Sequence, residues 1–142
     1  MTIGSIRSLT RDQSDCLVGA YYQGMRQTTA FRRRALFDDA LQVIDRDFSD
    51  ETLSLSTVAR TIATSRRQLQ RVFAEHGTSF RSELQQIRMA RAAELLRNGE
   101  LSVSTVARAV GYRHPAQFSK AFRRHHGRPP SELRMEGASL AA

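Results

Sequence analysis

One stretch of this chain occurs twice. Leu55-Ser-Thr-Val58-Ala59-Arg60-Thr-Ile62 returns 48 residues later as Val103-Ser-Thr-Val106-Ala107-Arg108-Ala-Val110. After a one-residue insertion, Leu69-Gln70-Arg71-Val72-Phe73 is matched by Phe118-Ser119-Lys120-Ala121-Phe122. His76-Gly77-Thr78-Ser79 then corresponds to His125-His126-Gly127-Arg128-Pro129. Each copy reads as a short helix, a tight turn and a second helix whose core positions lie four apart. Ala59 and Ala107 are small where two helices cross closely, and the turns follow at Ala63-Thr64 and Gly111-Tyr112. Ser65 is a suitable N-cap for the second helix, with Gln68 completing a capping box, and Pro115 suits the first turn of its counterpart. Two helices joined by a three- or four-residue turn, duplicated, make a pair of helix-turn-helix units.

The rest of the chain agrees with this. All three prolines fall in the last 28 residues, so proline bars nothing before His114 from helix. No alternation of period two persists, and no Asn-Gly or Asp-Gly hairpin turn occurs. Leu36, Ala40, Val43, Ile44 and Phe48 recur at spacings of three and four, as one apolar helix stripe does. A long helix is expected from about Ser79 to Arg97, carried by Phe80, Leu84, Ile87 and Leu95 and stopped by Asn98-Gly99. The expected fold class is all-α: two helix-turn-helix subdomains, at about 55–76 and 103–125, joined by a linker helix at about 79–97. Residues 1–30 are expected to be an extension, partly disordered or holding a short helix striped by Leu17, Tyr21 and Met25. The domain proper would span 31–136, with a disordered tail at 137–142.

Charge separates the function classes. Twenty-two basic against fourteen acidic side chains give +8. Residues 35–54 carry one basic and six acidic groups, whereas residues 55–134 carry fifteen and five. A polyanion-binding surface is therefore expected within 55–134. The best apolar run, Cys16 to Tyr22, is far short of the roughly 18 residues that cross a bilayer. No apolar segment near the N-terminus resembles a signal peptide, so a soluble cytoplasmic protein is expected. Cys16 alone permits neither an internal disulfide nor a multi-thiolate zinc site, and the four histidines lack metal-ligand spacing. With no phosphate loop, nucleophile triad or paired carboxylates, neither an enzyme, a metal site nor a cofactor is expected.

With Leu69, Val72 and Phe73 turned inward, Arg66, Arg67, Gln70 and Arg71 fall on the opposite helix face. Arginine forks guanine edges and phosphates, and glutamine pairs with adenine, so this face suits a major groove. In the second unit Phe118, Ala121 and Phe122 face the core. His114, Gln117, Ser119, Lys120 and Arg124 are left outward or marginal, on a less basic face expected to contribute less readout.

Leu55-x-x-Val58-Ala59, Ser65-x-x-x-Leu69-x-Arg71-x-Phe73 and Gly77-x-Ser79 come in order along the chain. Arg88-Met89-x-x-Ala92-x-x-Leu95-Leu96, Val106-Ala107-x-x-Val110-Gly111-Tyr112, Phe118-Ser119-x-x-Phe122-Arg123 and Gly127-x-Pro129-Pro130 follow them. Together they make residues from about Phe37 to Arg134 resemble the DNA-binding domain of the AraC/XylS regulators. The resemblance implies a homeodomain-like pair of units whose second helices enter the major groove. Carried onto this chain, the readers are Arg66, Arg67, Gln70 and Arg71, then His114, Gln117 and Lys120. Glu83 and Leu133 depart from the family pattern, which usually has tyrosine at both places. The expected partner is double-stranded DNA, bound by a monomer as a transcription activator, with RNA polymerase as a second partner. An architectural DNA binder and a protein-interaction module remain as alternatives.

Overall fold

The computed structural model describes the backbone of residues 11–140, with side chains described without interruption from Thr28 onward. Seven helices occur among these residues, and no strand: α1 (Arg11–Asp47), α2 (Leu55–Thr61), α3 (Arg66–Glu75), α4 (Phe80–Arg97), α5 (Val103–Ala109), α6 (Pro115–His126) and α7 (Pro130–Leu140). None of them is long and apolar enough to cross a membrane. The chain divides into two compact parts, residues 1–35 and 36–142, and the division falls within α1.

In the first part, residues 11–35 are helical, with Thr28 donating its hydroxyl proton to the Gly24 carbonyl at 2.8 Å. The expected extension at 1–30 is thus helical from Arg11 onward, as part of a 37-residue helix rather than a short one. Proline enters nowhere in that stretch, so nothing interrupts the backbone ladder. The side chains of Leu17, Tyr21 and Met25 lie outside the described residues.

Residues 36–142 are held by two apolar cores that share α4. One gathers Ala40, Val43 and Ile44 from α1, Val58 and Ala59 from α2, Leu69 and Phe73 from α3, and Leu84 from the start of α4. The other gathers Met89, Ala92, Ala93 and Leu96 from the rest of α4, Val106 and Ala107 from α5, Phe118 and Phe122 from α6, and Leu133 from α7. Leu133, where a tyrosine was the norm, fills the second core and is 4 % exposed. Glu83 accepts the Thr78 hydroxyl at 2.6 Å, tying the turn before α4 to its first turn.

Serine starts four of the helices. Ser54, Ser65, Ser79 and Ser102 each take up a backbone N–H three residues on, at 3.1–3.2 Å. Each satisfies one donor that the first turn leaves orphaned. In both units the cap also pairs with a threonine hydroxyl, Ser54 with Thr57 and Ser102 with Thr105, so the duplication extends through the caps. Gln68 does not close the expected capping box. Its Oε1 instead accepts the Thr64 hydroxyl at 3.1 Å. Pro115 does occupy the first turn of α6, and Gly99 follows α4 at φ +70°.

The two turns are superimposable in their bonding. Thr64 N–H donates to Ala59 and Tyr112 N–H to Ala107, both at 2.9 Å. That bond requires a left-handed residue before it: Gly111 at φ 89° and, in the first unit, Ala63 at φ 54°. Glycine takes that conformation freely, while alanine is strained there.

The expected tail is ordered at least to Leu140. Residues 137–140 complete α7, and Gly137 is buried against the end of α4. A Cβ on Gly137 would overlap the Arg97 carbonyl, so only a bare α-carbon lets the two helices approach this closely. Residues 141 and 142 lie outside the described residues.

Candidate nucleic-acid interface

The core-facing residues of α3 are all but inaccessible, at 0 % for Leu69 and 1 % for Val72 and Phe73. Helical geometry then turns Arg66, Arg67, Gln70 and Arg71 outward, and all four are exposed. Phe73 meets Phe37 and Phe80 edge-on, with ring centroids 5.5 and 6.5 Å apart, which fixes the roll of α3 about its axis. In α6, Phe118 and Phe122 are fully buried, and Phe118 meets Tyr112 edge-on at 5.6 Å. His114, Gln117, Lys120 and Arg124 are exposed and Ser119 is half-buried. His114 caps α6 by backbone geometry alone, its side chain making no cap bond. Gln117, Lys120 and Arg124 share one stripe of α6, facing the first turns of α4 across a cleft. Ser119 lies on the other flank, in a crevice with Arg123 and Pro129.

Cations in residues 36–142 fall into three groups. Arg46, Arg91, Arg113 and Arg128 are ion-paired with Asp47, Asp45 and Glu94, Glu51, and Glu136, at 2.7–3.4 Å. Arg88 and Arg134 donate to backbone carbonyls. Arg88 Nε reaches Phe48 O at 2.8 Å and its Nη2 reaches Asp50 O at 2.9 Å, while Arg134 Nε reaches Leu101 O at 2.8 Å. The third group has no partner among the described residues: Arg60, Arg66, Arg67, Arg71, Arg81, Arg97, Arg108, Lys120, Arg123 and Arg124. Five of these ten, Arg66, Arg67, Arg71, Lys120 and Arg124, are candidate readers. No candidate cation on α3 or α6 is answered by a carboxylate among the described residues, and five further cations on α2, α4, α5 and α6 are equally unpaired.

Arg88 fixes the units against each other. Its carbonyl acceptors follow α1, its guanidinium lies 5.6 Å from the Tyr112 ring centre, and the Gly111 backbone packs against it. Burial pulls its pKa down, with Tyr112 and Asp50 opposing the shift, but the group stays charged. Nearby, Arg113 crosses from the second unit to Glu51 at 2.8 Å and holds that carboxyl below its ordinary range, through hydrogen bonding first and charge second. Sequence reasoning placed Arg88 only in a family pattern and singled out neither this clamp nor Arg81, which lines the cleft beside α6.

Two of the histidines pack into the fold. His76 stacks flat on Phe37 at 3.9 Å and pairs with the Val72 carbonyl, and His126 packs on Phe122 and pairs with the Met89 carbonyl. His125 and His126 meet edge-on at 4.7 Å. No group of three metal-binding side chains occurs among the described residues.

A family model described as a helix-turn-helix domain matches residues 58–136. The Rhodococcus transcriptional activator NphR is 29 % identical over 144 residues, covering 100 % of this chain and 43 % of that protein. Among solved structures, the C-terminal domain of AraT, a response regulator from Geobacillus stearothermophilus, superposes with a TM-score of 0.67 at 38 % identity. It covers 70 % of this chain and 84 % of that one. A Chromobacterium violaceum transcriptional regulator with an AraC-type DNA-binding domain gives 0.68 at 28 % identity, over 74 % and 94 %. The chain spans less than half the length of the curated relatives it matches. The duplicated, serine-capped units on a shared helix and the matched span agree: this chain belongs to the AraC-type helix-turn-helix family of DNA-binding transcription regulators.

Proposed function

We propose that residues 36–142 read double-stranded DNA sequence-specifically, as one copy on one site, with α3 and α6 in successive major-groove segments. The observation that carries this reading is that every cation on α3 and α6 is exposed to solvent and unpaired among the described residues, on the two helices that the duplicated units present outward. Arg66, Arg67, Gln70 and Arg71 supply the richer set of base-edge and phosphate donors; His114, Gln117, Ser119, Lys120 and Arg124 supply the second.

α4 sets the spacing. Its 18 residues span about 27 Å at 1.5 Å per residue, against about 34 Å between groove segments one turn apart. Because α4 belongs to both cores, the units cannot spread to make up that difference, and the DNA bends instead. Such a bend costs on the order of 1–6 kcal/mol, offset by contacts from the second unit. Two recognition helices in one chain make dimerisation unnecessary for two-groove contact. Activation is the output that the name of the Rhodococcus relative supports, and RNA polymerase is the partner proposed for it. DNA reading of this kind needs neither a catalytic group nor a cofactor, and places the protein on the nucleoid in the cytoplasm.

Selection of bound sites from random duplex DNA tests the reading. The expected result is a non-palindromic site of about two turns, bound by one chain, with log K falling against log salt at a slope of about −5 to −7. Enrichment of an inverted repeat carrying two chains would overturn the stoichiometry. Selectivity lost against bulk DNA would favour an architectural binder, and absence of all DNA binding an interaction module.

A further inference from the structure

The first turns of α4 and the outward stripe of α6 face each other across an open cleft of about 420 Å³. Arg81, Gln85 and Arg88 line it from α4 at spacings of four and three; Gln117, Lys120 and Arg124 line it from α6 at three and four. These spacings put each trio on one helix face, so six donor side chains converge from two walls. No carboxylate lines the cleft. Arg88 spends its hydrogen bonds on neutral carbonyls, and no carboxylate among the described residues is ion-paired with it. Arg81, Lys120 and Arg124 have no partner among the described residues.

Four like charges around one cleft repel one another, and an entering anion relieves that repulsion. Guanidinium, ammonium and amide N–H groups offer donors in several directions, which suits the oxygens of a tetrahedral phosphate. The cleft is wider than a bare phosphate, with room for the sugars on either side of one.

We propose that this cleft is a phosphate-binding site, in which Arg81 and Gln85 of α4 act together with Lys120 and Arg124 of α6. The phosphate comes either from the DNA backbone bordering the groove that α6 enters or from a free phosphorylated compound. The first source rests on the reading proposed above, and the second does not. In the first case α4 is a contact element as well as a spacer: it fixes register on the duplex and carries no sequence information.

Arg81→Ala tests the site, because Arg81 is exposed and has no partner whose loss would unfold the chain; a thermal melt confirms that the variant folds. Duplex binding of the full chain is measured while single backbone phosphates are replaced by neutral methylphosphonate. Pyrophosphate is titrated separately, following the Arg81 Nε–H and Gln85 side-chain amide resonances by NMR. For a backbone source, Arg81→Ala weakens all duplexes alike by about five- to tenfold and makes the salt slope shallower by about 1. One methylphosphonate position then weakens the native chain by a similar factor and Arg81→Ala no further. For a free source, pyrophosphate shifts those resonances saturably, Arg81→Ala abolishes the shift, and no methylphosphonate position couples to Arg81. Duplex binding unchanged within twofold, together with no saturable pyrophosphate shift, would overturn the site. If the native chain shows no selective duplex binding, the DNA reading fails by itself and the pyrophosphate titration still decides the cleft.

Discussion

Arg88→Met is the sharpest test of how the two units are held. Methionine keeps most of the aliphatic stem in place and removes only the guanidinium. Two charge-assisted hydrogen bonds disappear, at 2.8 and 2.9 Å, with the cation 5.6 Å from the Tyr112 ring. Bonds of this kind contribute about 1.5–3 kcal/mol each, and a partly exposed cation–π contact about 0.5–1. The side chain is partly exposed and the freed carbonyls of Phe48 and Asp50 regain water, so the sum must be discounted. A loss of about 2–3 kcal/mol is expected by urea denaturation, with an unchanged m-value. The functional consequence is separable. A duplex carrying only the segment read by α3 should be bound within twofold of the native affinity. The complete site should lose at least about tenfold, equivalent to 1.4 kcal/mol, because the second unit is no longer presented at a fixed angle. A stability change under about 0.5 kcal/mol, or equal losses on both duplexes, would refute the clamp.

The two equivalent turns predict opposite signs. Ala63→Gly should stabilise by about 0.5–1 kcal/mol, since relief of left-handed strain outweighs the added chain entropy. Gly111→Ala should destabilise by more than about 1 kcal/mol, because its Cβ would also meet the Phe48 carbonyl at 2.8 Å; thermal melts compare both. Gly137→Ala should cost about 1–3 kcal/mol by forcing α7 off the end of α4, read as earlier hydrogen exchange in α7. Arg71→Ala should cost about 1–3 kcal/mol in binding and relax specificity at one base step, while Lys120→Ala costs less and acts evenly across sequences. Equal losses of specificity from the two would reverse that ranking. The Glu51–Arg113 tie depresses the Glu51 pKa, so its stabilisation is present above the ordinary value of 4.5 and fades as pH falls below it. The gap in denaturation midpoint between the native chain and Glu51→Gln should therefore be constant through neutral pH and close in acid.

The sequence by itself determined the helical class, the duplication, the limits of the linker helix and the outward faces of α3 and α6. Those features depend on local chemistry: apolar spacing, a serine or proline at the helix start, an Asn-Gly stop. Even the strained Ala63 was legible as the counterpart of Gly111, though its left-handed backbone was not. The tertiary structure alone decided which arginines are available. Arg88, Arg91 and Arg113 find their partners 38–62 positions away, and Arg128 finds Glu136 across the turn before α7. A sequence displays the sign of each charge but not what answers it, because a guanidinium is neutralised by whatever packing brings within reach. For the same reason Arg81, unremarked on a helix read as a spacer, became a wall of the cleft beside α6. Gly137 passed for a tail residue until the close approach of α7 to α4 required a residue without a side chain.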